Sequence, residues 1–336
     1  MKIFRKSISK RIFFCAVLSG LMYTSPVQAD FNEDNILGTT TVERDEQGNI
    51  KTIITVKNRT VESYSSNDTA TSNNYDMTAT LNATFLNDKY SNNLTTILSL
   101  NGFIPSGRKF SFPSNNSWLG SMLWPEQYSI KVMSESLDKP VKITDSTPTN
   151  TIRSKEVSDS ITYGIGGGVK IEGKTPGVAT DVNAAFTKTI SYHQPDYETT
   201  KVKGTISESL WNTSFTETID GYNRTSWNPV YGNQMFMYGR YTSNIKNNFT
   251  PDYQLSPLIR GGFSPSYGIV MRGSKDVQKS RVKVIFGRTS ETYEQSWSGF
   301  NWVGRNFLNQ STSDWYASST FLFEIDWQNH TVKFIA

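Results

Sequence analysis

The residues able to perform acid–base or metal chemistry are few in this sequence. Only His193 and His330 carry imidazoles, and Cys15 is the single thiol among 336 residues. One Cys excludes a disulfide framework and a four-Cys zinc site. His193 lies close to Asp196, as a base beside an orienting acid would, but no activated-serine motif accompanies the pair. We therefore predict no enzyme, no cofactor and no metal site.

Two further patterns that often mark ligand sites are incomplete. Asp252, Glu294 and Asp326 do not have the spacing of a calcium loop. The glycine-rich stretch from Gly164 to Gly168 lacks the Gly-Lys-Ser/Thr sequence and the following helix of a phosphate-binding loop. The sequence therefore directs attention to surfaces and conformational change rather than to a catalytic centre.

Residues 1–29 have the pattern of a secretory signal peptide. Five basic residues precede an apolar run from Ile12 to Tyr23, and Val27-Gln28-Ala29 forms a small-x-small cleavage site. Cleavage there changes the formal charge from +4 to (34−5)−30 = −1 and removes Cys15. A secreted, nearly neutral chain is a poor partner for a polyanion, so we predict no nucleic-acid binding.

Most of the remaining chain alternates apolar and polar residues with the period of β-strands. Runs of this kind occur at 77–85, 128–132 and 282–286, separated by clusters of Asn, Ser, Thr and Gly. No long apolar stripe has helical spacing, so we predict an all-β sandwich. The polar residues 30–48 are expected to be a mobile terminal segment, and residues 62–75 a loop.

Residues 156–192 carry one apolar and one polar face over an unusual length. Up to Glu172 the apolar residues occupy odd positions, and after a turn predicted at Gly173–Gly177 they occupy even positions. At ~3.3 Å per residue and a tilt of about 40°, each arm of about 15 residues spans about 40 Å. A membrane-crossing strand needs about 9–11 residues. The hairpin is therefore long enough to cross a bilayer.

A single hairpin cannot cross lipid alone, because its edges would leave backbone N–H and C=O groups without partners. Only a closed barrel removes those edges, so one hairpin per chain implies a ring of several chains. The alternative is an ordinary amphipathic hairpin that covers a soluble core. The near absence of charge on the apolar face favours insertion, but the residues alone leave both interpretations open.

Several short motifs occur in the order and spacing found in one family of toxins. They are Leu123-Trp124-Pro125-Glu126, Asn150-Thr151-Ile152 with Lys155-Glu156, Tyr192-His193-Gln194-Pro195-Asp196, Ser226–Gln234, Gly262–Pro265, Asn301-Trp302 with Gly304, and Ile325-Asp326-Trp327. Over nearly the whole chain after the leader, the sequence resembles the staphylococcal alpha-hemolysin and leukocidin family of secreted β-barrel pore-forming toxins. Within that family it resembles the single-component clostridial members.

The resemblance implies a secreted cytolysin that binds a lipid, glycan or protein receptor on a host cell membrane. It implies assembly into a homo-oligomer, a heptamer, and insertion of a β-barrel. The implied fold class is all-β and leukocidin-like, with a cap β-sandwich, a rim region and an amphipathic stem hairpin. The corresponding boundaries are 1–29 for the signal peptide, 30–48 for an N-terminal latch, 49–155 and 193–336 for the two parts of the cap and rim, and 156–192 for the stem.

With this resemblance, the two faces of the stem acquire separate expected roles. Residues expected to line the pore lumen are Glu156, Ser158, Ser160, Thr162, Lys170, Glu172, Asp181, Asn183 and Thr187. Residues expected to face lipid are Ile161, Tyr163, Ile165, Val169, Ile171, Val178, Val182, Phe186 and Ile190. Three acids and one lysine give the lumen a charge of −2 per chain. Rings of carboxylates favour cations, so we predict a weakly cation-selective pore.

Aromatic residues are expected to form a membrane- or receptor-binding rim, because amphipathic rings suit the membrane interface. The predicted rim residues are Trp118, Tyr222, Trp227, Arg240, Trp297 and Trp302. By resemblance, Arg240 occupies the position of a phosphocholine-contacting arginine, but Ile219 replaces the tryptophan that stacks on choline. A core position for Trp227 and Trp302 is the alternative. The rival function is a secreted β-sandwich lectin or adhesin that does not insert.

Overall fold

A computed structural model describes residues 38–44, 50–56, 59–114, 117–173, 184–241, 244–308, 310 and 313–336. The strands are β1 (Gly38–Arg44), β2 (Ile50–Val56), β3 (Arg59–Thr71), β4 (Thr78–Asp88), β5 (Asn93–Pro105), β6 (Lys109–Ser111), β7 (Leu119–Ser136), β8 (Val141–Thr147), β9 (Glu156–Gly164), β10 (Gly168–Gly173), β11 (Ala184–His193), β12 (Tyr197–Gly204), β13 (Glu208–Phe215), β14 (Gly262–Phe263), β15 (Ser266–Ser274), β16 (Lys279–Trp297), β17 (Trp302–Phe307), β18 (Tyr316–Asp326) and β19 (Thr331–Phe334). The predicted leader, residues 1–29, lies outside the described residues.

Helical structure among the described residues is limited to α1 (Pro257–Arg260) and three 3₁₀ turns at Ile245–Asn247, Asp252–Gln254 and Ser313–Trp315. Ser256 caps α1, because its side chain accepts a hydrogen bond from the N–H of Leu258. In the part of the chain that the structure describes, no helix has the length and apolar character needed to cross a bilayer.

The strands form three antiparallel sheets. Sheet 1 has the order β1-β2-β3-β4-β5-β15-β8, with the short β14 beside β5. Sheet 2 has the order β12-β13-β7-β16-β18-β19, with β6 beside β7 and β17 beside β16. The third sheet has the order β10-β9-β11 and consists of residues from the stem segment, residues 156–192, together with His193 at the end of β11. We call it the stem sheet.

The core shared by sheets 1 and 2 is rich in aromatic residues. Leu81 of β4, Tyr128 of β7 and Phe286 of β16 belong to one buried cluster and have no exposed surface. The hydroxyl of Tyr128 donates a hydrogen bond to the backbone carbonyl of Leu258 at 2.6 Å, so a polar group inside the core has a partner. Alternating inward-facing residues from two sheets are the architecture of a β-sandwich, and the predicted fold class is confirmed.

Strand β15 differs from an ordinary sandwich strand because both of its faces are buried. Tyr267, Ile269 and Met271 belong to the sandwich core. Val270, between them, belongs to a second apolar cluster on the other face of sheet 1. A strand with two buried faces needs a layer on each side. The stem sheet supplies the outer layer.

Two expectations for polar segments are wrong. Residues 38–44, placed in the mobile latch, form β1 and pair with β2 along its whole length. The loop expected at 62–75 is strand as far as Thr71. Its hydroxyls contact those of β4 across the strand pair, with Thr69 to Thr80 at 2.8 Å and Thr71 to Thr78 at 3.1 Å. Cross-strand pairing therefore uses threonines that sequence patterns assign to turns.

Substitution of Trp124 tests the sandwich core. Its ring is fully buried against Phe215 and Phe236, and its indole N–H donates to the Oδ1 of Asn306 at 2.9 Å. We expect Trp124→Ala to lower the free energy of unfolding, measured by urea denaturation, by about 3–5 kcal/mol. Trp227 is 71% exposed, so Trp227→Ala should change it by less than about 0.5 kcal/mol. Equal effects of the two substitutions would contradict this packing.

Candidate pore-forming segment and membrane-facing loops

The stem segment is folded into three short strands rather than two long arms. Strand β9 is central, with β10 on one edge and β11 on the other. The chain reverses at 165–167, where Gly166 and Gly167 have φ of +96° and +92°. Glycine adopts such angles without steric cost, which allows the chain to reverse here. This reversal precedes the turn predicted at Gly173–Gly177. The prediction of a continuous two-arm hairpin is wrong for this conformation.

The apolar face of the stem segment lies against the outer side of sheet 1. Ile161 and Tyr163 have no exposed surface, and Ile190 has 3%. They share the second apolar cluster with Val61 of β3, Leu86 of β4, Ile97 of β5 and Val270 of β15. The other described residues predicted to face lipid pack at the margin of that cluster, and they are Ile165, Val169, Ile171 and Phe186. Protein therefore covers this face here.

A glycine in β15 makes room for the stem sheet. A Cβ atom built on Gly268 would lie 2.5 Å from the Cδ1 of Ile161 and closer still to the Cδ1 of Ile190. Real Cβ atoms do not approach other carbons so closely, so any side chain here would push the stem sheet outwards. Gly268 therefore permits β9 and β11 to pack directly on the backbone of β15.

Polar groups of sheet 1 hold the turn between β9 and β10. The carboxylate of Asp88 is buried and its Oδ2 accepts hydrogen bonds from the hydroxyl of Tyr163 at 2.9 Å and from the N–H of Gly166 at 2.7 Å. The guanidinium of Arg272 donates to the carbonyl of Gly167. A buried carboxylate depends on such donors, so displacement of the turn removes two of the hydrogen bonds that Asp88 accepts.

The residues predicted to line a lumen occupy the opposite parity from the apolar set. The hydroxyls of Ser160 and Thr189 are 3.1 Å apart, and those of Thr162 and Thr187 are 3.2 Å apart, across the pairing of β9 with β11. Exposure among the predicted lumen residues is uneven, with Glu156, Lys170 and Thr187 exposed, Ser158 and Glu172 half-buried, and Ser160 and Thr162 buried. The other predicted stem residues, Val178, Asp181, Val182 and Asn183, lie outside the described residues.

Two loops that carry candidate rim residues are joined backbone to backbone. The N–H of Asn233 donates to the carbonyl of Gly304 at 2.8 Å, and the side-chain amide of Asn301 donates to the carbonyl of Val230 at 2.9 Å. A Cβ on Gly232, which has a φ of +62°, would overlap the carbonyl oxygen of Gly304. The glycines thus allow the loop around Trp227 to pack directly on β17, and Asn301 joins it to the loop before β17.

The predicted rim tryptophans occupy different environments. Trp118, Trp297 and Trp302 form one cluster with ring centroids 5.3 to 6.1 Å apart. Trp118 is 46% exposed and Trp227 is 71% exposed, whereas Trp302 has no exposed surface. The prediction of direct receptor contact is wrong for Trp302 in this conformation, because a ring without exposed surface can only support its neighbours. Tyr222 and Trp297 are half-buried.

Arg240 lies in an exposed aromatic setting. Its guanidinium carbon is 4.5 Å from the ring centroid of Tyr231, and its Nε donates to the Oε1 of Gln234 at 2.9 Å. The hydroxyls of Tyr231 and Tyr241 are 2.7 Å apart. Among the described residues no carboxylate lies within ion-pair distance of Arg240. The arrangement presents a cation and two phenol groups at the surface.

Arg224 connects the loop of Tyr222 and Trp227 to sheet 2. Its guanidinium bonds Glu291 of β16, with Nε to Oε2 at 3.0 Å, and also approaches the Oε2 of Glu126 of β7 at 3.2 Å. The hydrogen bond with Glu291 raises the pKa of Arg224. Burial raises the pKa of Glu126, while Arg224 opposes that rise. The two acids thus keep the base of this loop attached to the sandwich.

Residues 79–329 match the model of the Leukocidin/Hemolysin toxin family. The chain belongs to this family. It is 33% identical over 276 residues to leucotoxin LukDv of Staphylococcus aureus, which corresponds to 80% of this chain and 82% of LukDv. The solved structure of Clostridium perfringens delta-toxin has a TM-score of 0.80 at 44% identity and covers 88% of this chain and 100% of its own. The membrane-inserted form of C. perfringens NetB toxin has a TM-score of 0.65 at 34% identity and covers 82% and 100%.

The family assignment confirms the predicted function of a pore-forming cytolysin. It decides between that function and the lectin or adhesin alternative, because the members of this family are pore-forming toxins.

The two histidines are not part of a metal site in the described residues, where no group of three or more potential ligands is assembled. The ring of His330 stacks on Tyr64 with centroids 3.8 Å apart.

Sequence reasoning missed several residues of this leukocidin-family surface. Tyr253 is 74% exposed and Tyr241 is 69% exposed, although neither was among the predicted rim residues. Both lie in stretches rich in Gly, Ser, Asn or Pro rather than in alternating runs. That context indicates aromatics in exposed loops. Gly268 and Val270 were missed too, although the unbroken apolar run Ile269-Val270-Met271 signals a strand buried on both faces.

Substitution of Gly268 tests the docking of the stem sheet. We expect Gly268→Ala to destabilise that docking by about 1–3 kcal/mol through overpacking against Ile161 and Ile190. The measurement is the rate of proteolytic cleavage within residues 156–192 of the soluble protein, which should rise. Gly168→Ala is the matched control, because a Cβ on Gly168 meets nothing within 4 Å. Equal cleavage rates for the two variants would contradict the packing described here.

Proposed function

We propose that the chain is exported by residues 1–29, binds a host cell membrane, and assembles into a homo-oligomeric ring, a heptamer. Each subunit contributes residues 156–192 as one hairpin of a transmembrane barrel. The observation that carries this proposal is a segment with one continuous apolar face, packed as a separate sheet on a complete β-sandwich. The core between sheets 1 and 2 is closed without this third layer, which instead covers the outer apolar face of sheet 1.

Insertion replaces the contact of the apolar stem face with sheet 1 by contact with lipid. In water, sheet 1 covers Ile161, Tyr163 and Ile190, and burial of apolar surface favours this state. In a membrane, lipid covers the same residues at no hydrophobic cost. Backbone groups at the strand edges are satisfied only when hairpins from neighbouring subunits pair into a closed barrel. Insertion is therefore coupled to assembly.

Three groups of residues have distinct roles in this proposal. The rim is formed by Trp118, Tyr222, Trp227, Arg240 and Trp297, supported by the buried Trp302, and its target is a lipid, glycan or protein of the host cell. Residues 49–155 and 193–336 form the cap and rim. Residues 30–48 form a latch, of which 38–44 lie in sheet 1 of the monomer.

An introduced aspartate should have opposite effects on pore formation on the lipid face and on the lumen face of the stem. Ile165→Asp would place a carboxylate against lipid in every subunit. The free-energy cost per carboxylate depends on its depth in the bilayer and is below the about 2–4 kcal/mol of a basic residue at the midplane. Thr187→Asp would place the same group in an aqueous lumen. We expect the first variant to bind cells without releasing a trapped dye and the second to release it. Dye release by both variants would contradict the assignment of the two faces.

The lumen charges predict cation selectivity. In planar bilayers with a salt gradient, we expect reversal potentials that show a weak preference for cations, because carboxylates of Glu156, Glu172 and Asp181 outnumber Lys170. Glu156→Gln removes one carboxylate per subunit and should decrease that preference. An anion-selective wild-type pore would contradict the proposed lumen.

A further inference from the structure

The pairing of β9 with β11 has the register of a longer hairpin. Thr162 pairs with Thr187, Ser160 with Thr189 and Ser158 with Ser191. The two residue numbers of each pair add to 349, so the midpoint of this pairing falls between Lys174 and Thr175. The turn that the sequence predicts at Gly173–Gly177 contains that midpoint. Strands β9 and β11 are neighbours in the sheet although β10 lies between them along the chain. They are therefore aligned as if they were the two arms of one continuous hairpin.

We propose that β9 and β11 keep this pairing when the stem sheet leaves sheet 1 and inserts, so that conversion breaks only the pairing of β9 with β10 among the strand pairings of the stem sheet. This inference rests on the proposed function of residues 156–192. The folded monomer then already holds the first section of the transmembrane hairpin, with its register fixed before the membrane is reached.

The faces of the paired strands support a retained register. Directly opposite residues in an antiparallel pair project from the same face. Thr162 and Thr187 are both hydroxyl residues of the predicted lumen face, whereas Tyr163 and its partner Phe186 both belong to the predicted lipid face. A shift by one residue would place apolar residues of one strand beside polar residues of the other. The monomer pairing therefore needs no such shift before insertion.

The pairing of β9 with β10 is incompatible with the inserted hairpin. Thr162 lies opposite Lys170 in the stem sheet, and Ser160 lies opposite Glu172. In a continuous arm these residues belong to the same strand, and Thr162 and Lys170 would be about 26 Å apart at ~3.3 Å per residue. Every contact between β9 and β10 must therefore break.

A bulge marks the place where the two pairings diverge. Strand β11 shifts register between Ala184 and Phe186, so that Gly164 pairs with Ala184 instead of Ala185. Ala185 is buried in the second apolar cluster, and its burial helps hold the shift while the stem sheet is docked. Extension of the hairpin beyond Gly164 in the same register removes this bulge. Unfolding of the stem sheet accordingly proceeds from the β10 side and the bulge, while the pairs from Tyr163 to Glu156 persist.

Retention of this pairing lowers the barrier to insertion for a simple reason. A hairpin formed from an unstructured segment must first close a loop and fix its register, and both steps cost conformational entropy. Here the sandwich has already fixed the register. The remaining chain only has to extend a pairing that exists.

Engineered disulfides within the stem segment test this inference, because the chain has no cysteine after residue 29. Thr162→Cys combined with Thr187→Cys links β9 to β11, and Thr162→Cys combined with Lys170→Cys links β9 to β10. The two variants share one position, and all three native side chains are of the lumen parity. A second β9–β11 link, Ser160→Cys with Thr189→Cys, guards against local strain in the first.

The measurement is dye release from host cells that bind the protein, with each variant oxidised and then reduced by dithiothreitol. We expect the oxidised β9–β11 variants to release dye within about twofold of their reduced forms, and the oxidised β9–β10 variant to lose at least about tenfold, restored by reduction. Loss of release in both oxidised β9–β11 variants, with active reduced forms, would overturn the inference and leave the pore-forming stem intact. Absence of release by bound wild-type protein would instead contradict the proposed function and the inference together.

Discussion

The apolar face of residues 156–192 must be covered in water, and the rest of the structure follows from how the chain covers it. A face containing Ile161, Tyr163 and Ile190 would otherwise be an exposed patch that drives aggregation. The chain covers it with the outer side of sheet 1, and β15 is consequently buried on both faces. Gly268 lacks a side chain where the two layers come closest.

The polar contacts make this docking specific and separable. Asp88 and Arg272 bind the end of β9 and the turn at 165–167, through Tyr163, Gly166 and Gly167, so a displacement there removes these hydrogen bonds together. The rim loops are fastened elsewhere, through the backbone contact of Asn233 with Gly304 and through the ion pairs of Arg224. The contacts that hold the proposed rim loops therefore do not involve the stem segment. A toxin that binds before it inserts requires such independence.

Sequence patterns predict one part of this arrangement and not the other, for a physical reason. Alternation identifies which residues share a face, and Ile161, Tyr163 and Ile190 do share one, but alternation is the same whether protein or lipid covers that face. The reversal at 165–167 depends on Gly166 and Gly167, which permit a positive φ without requiring one. Trp227 and Trp302 illustrate the same limit in the rim, because a tryptophan is equally suited to a core and to an interface, and only tertiary packing distinguishes them.

The register of β9 and β11 shows how one sequence can serve two states. The hydroxyl residues of both strands lie opposite each other in the docked sheet, which is also the arrangement that a water-filled lumen requires. In the proposed conversion, the stem segment therefore keeps one pattern of side-chain pairing between β9 and β11, and β10 is the strand of the stem sheet that loses its strand partner.

The most direct test of the stored stem is a cryo-electron microscopy structure of oligomers extracted from permeabilised membranes. We expect the outer side of sheet 1 around Asp88, Gly268 and Arg272 to have lost the stem sheet, and Ile161, Tyr163 and Ile190 to face outwards from a barrel. A stem sheet still docked on β15 in the subunits of a permeabilising oligomer would contradict this expectation.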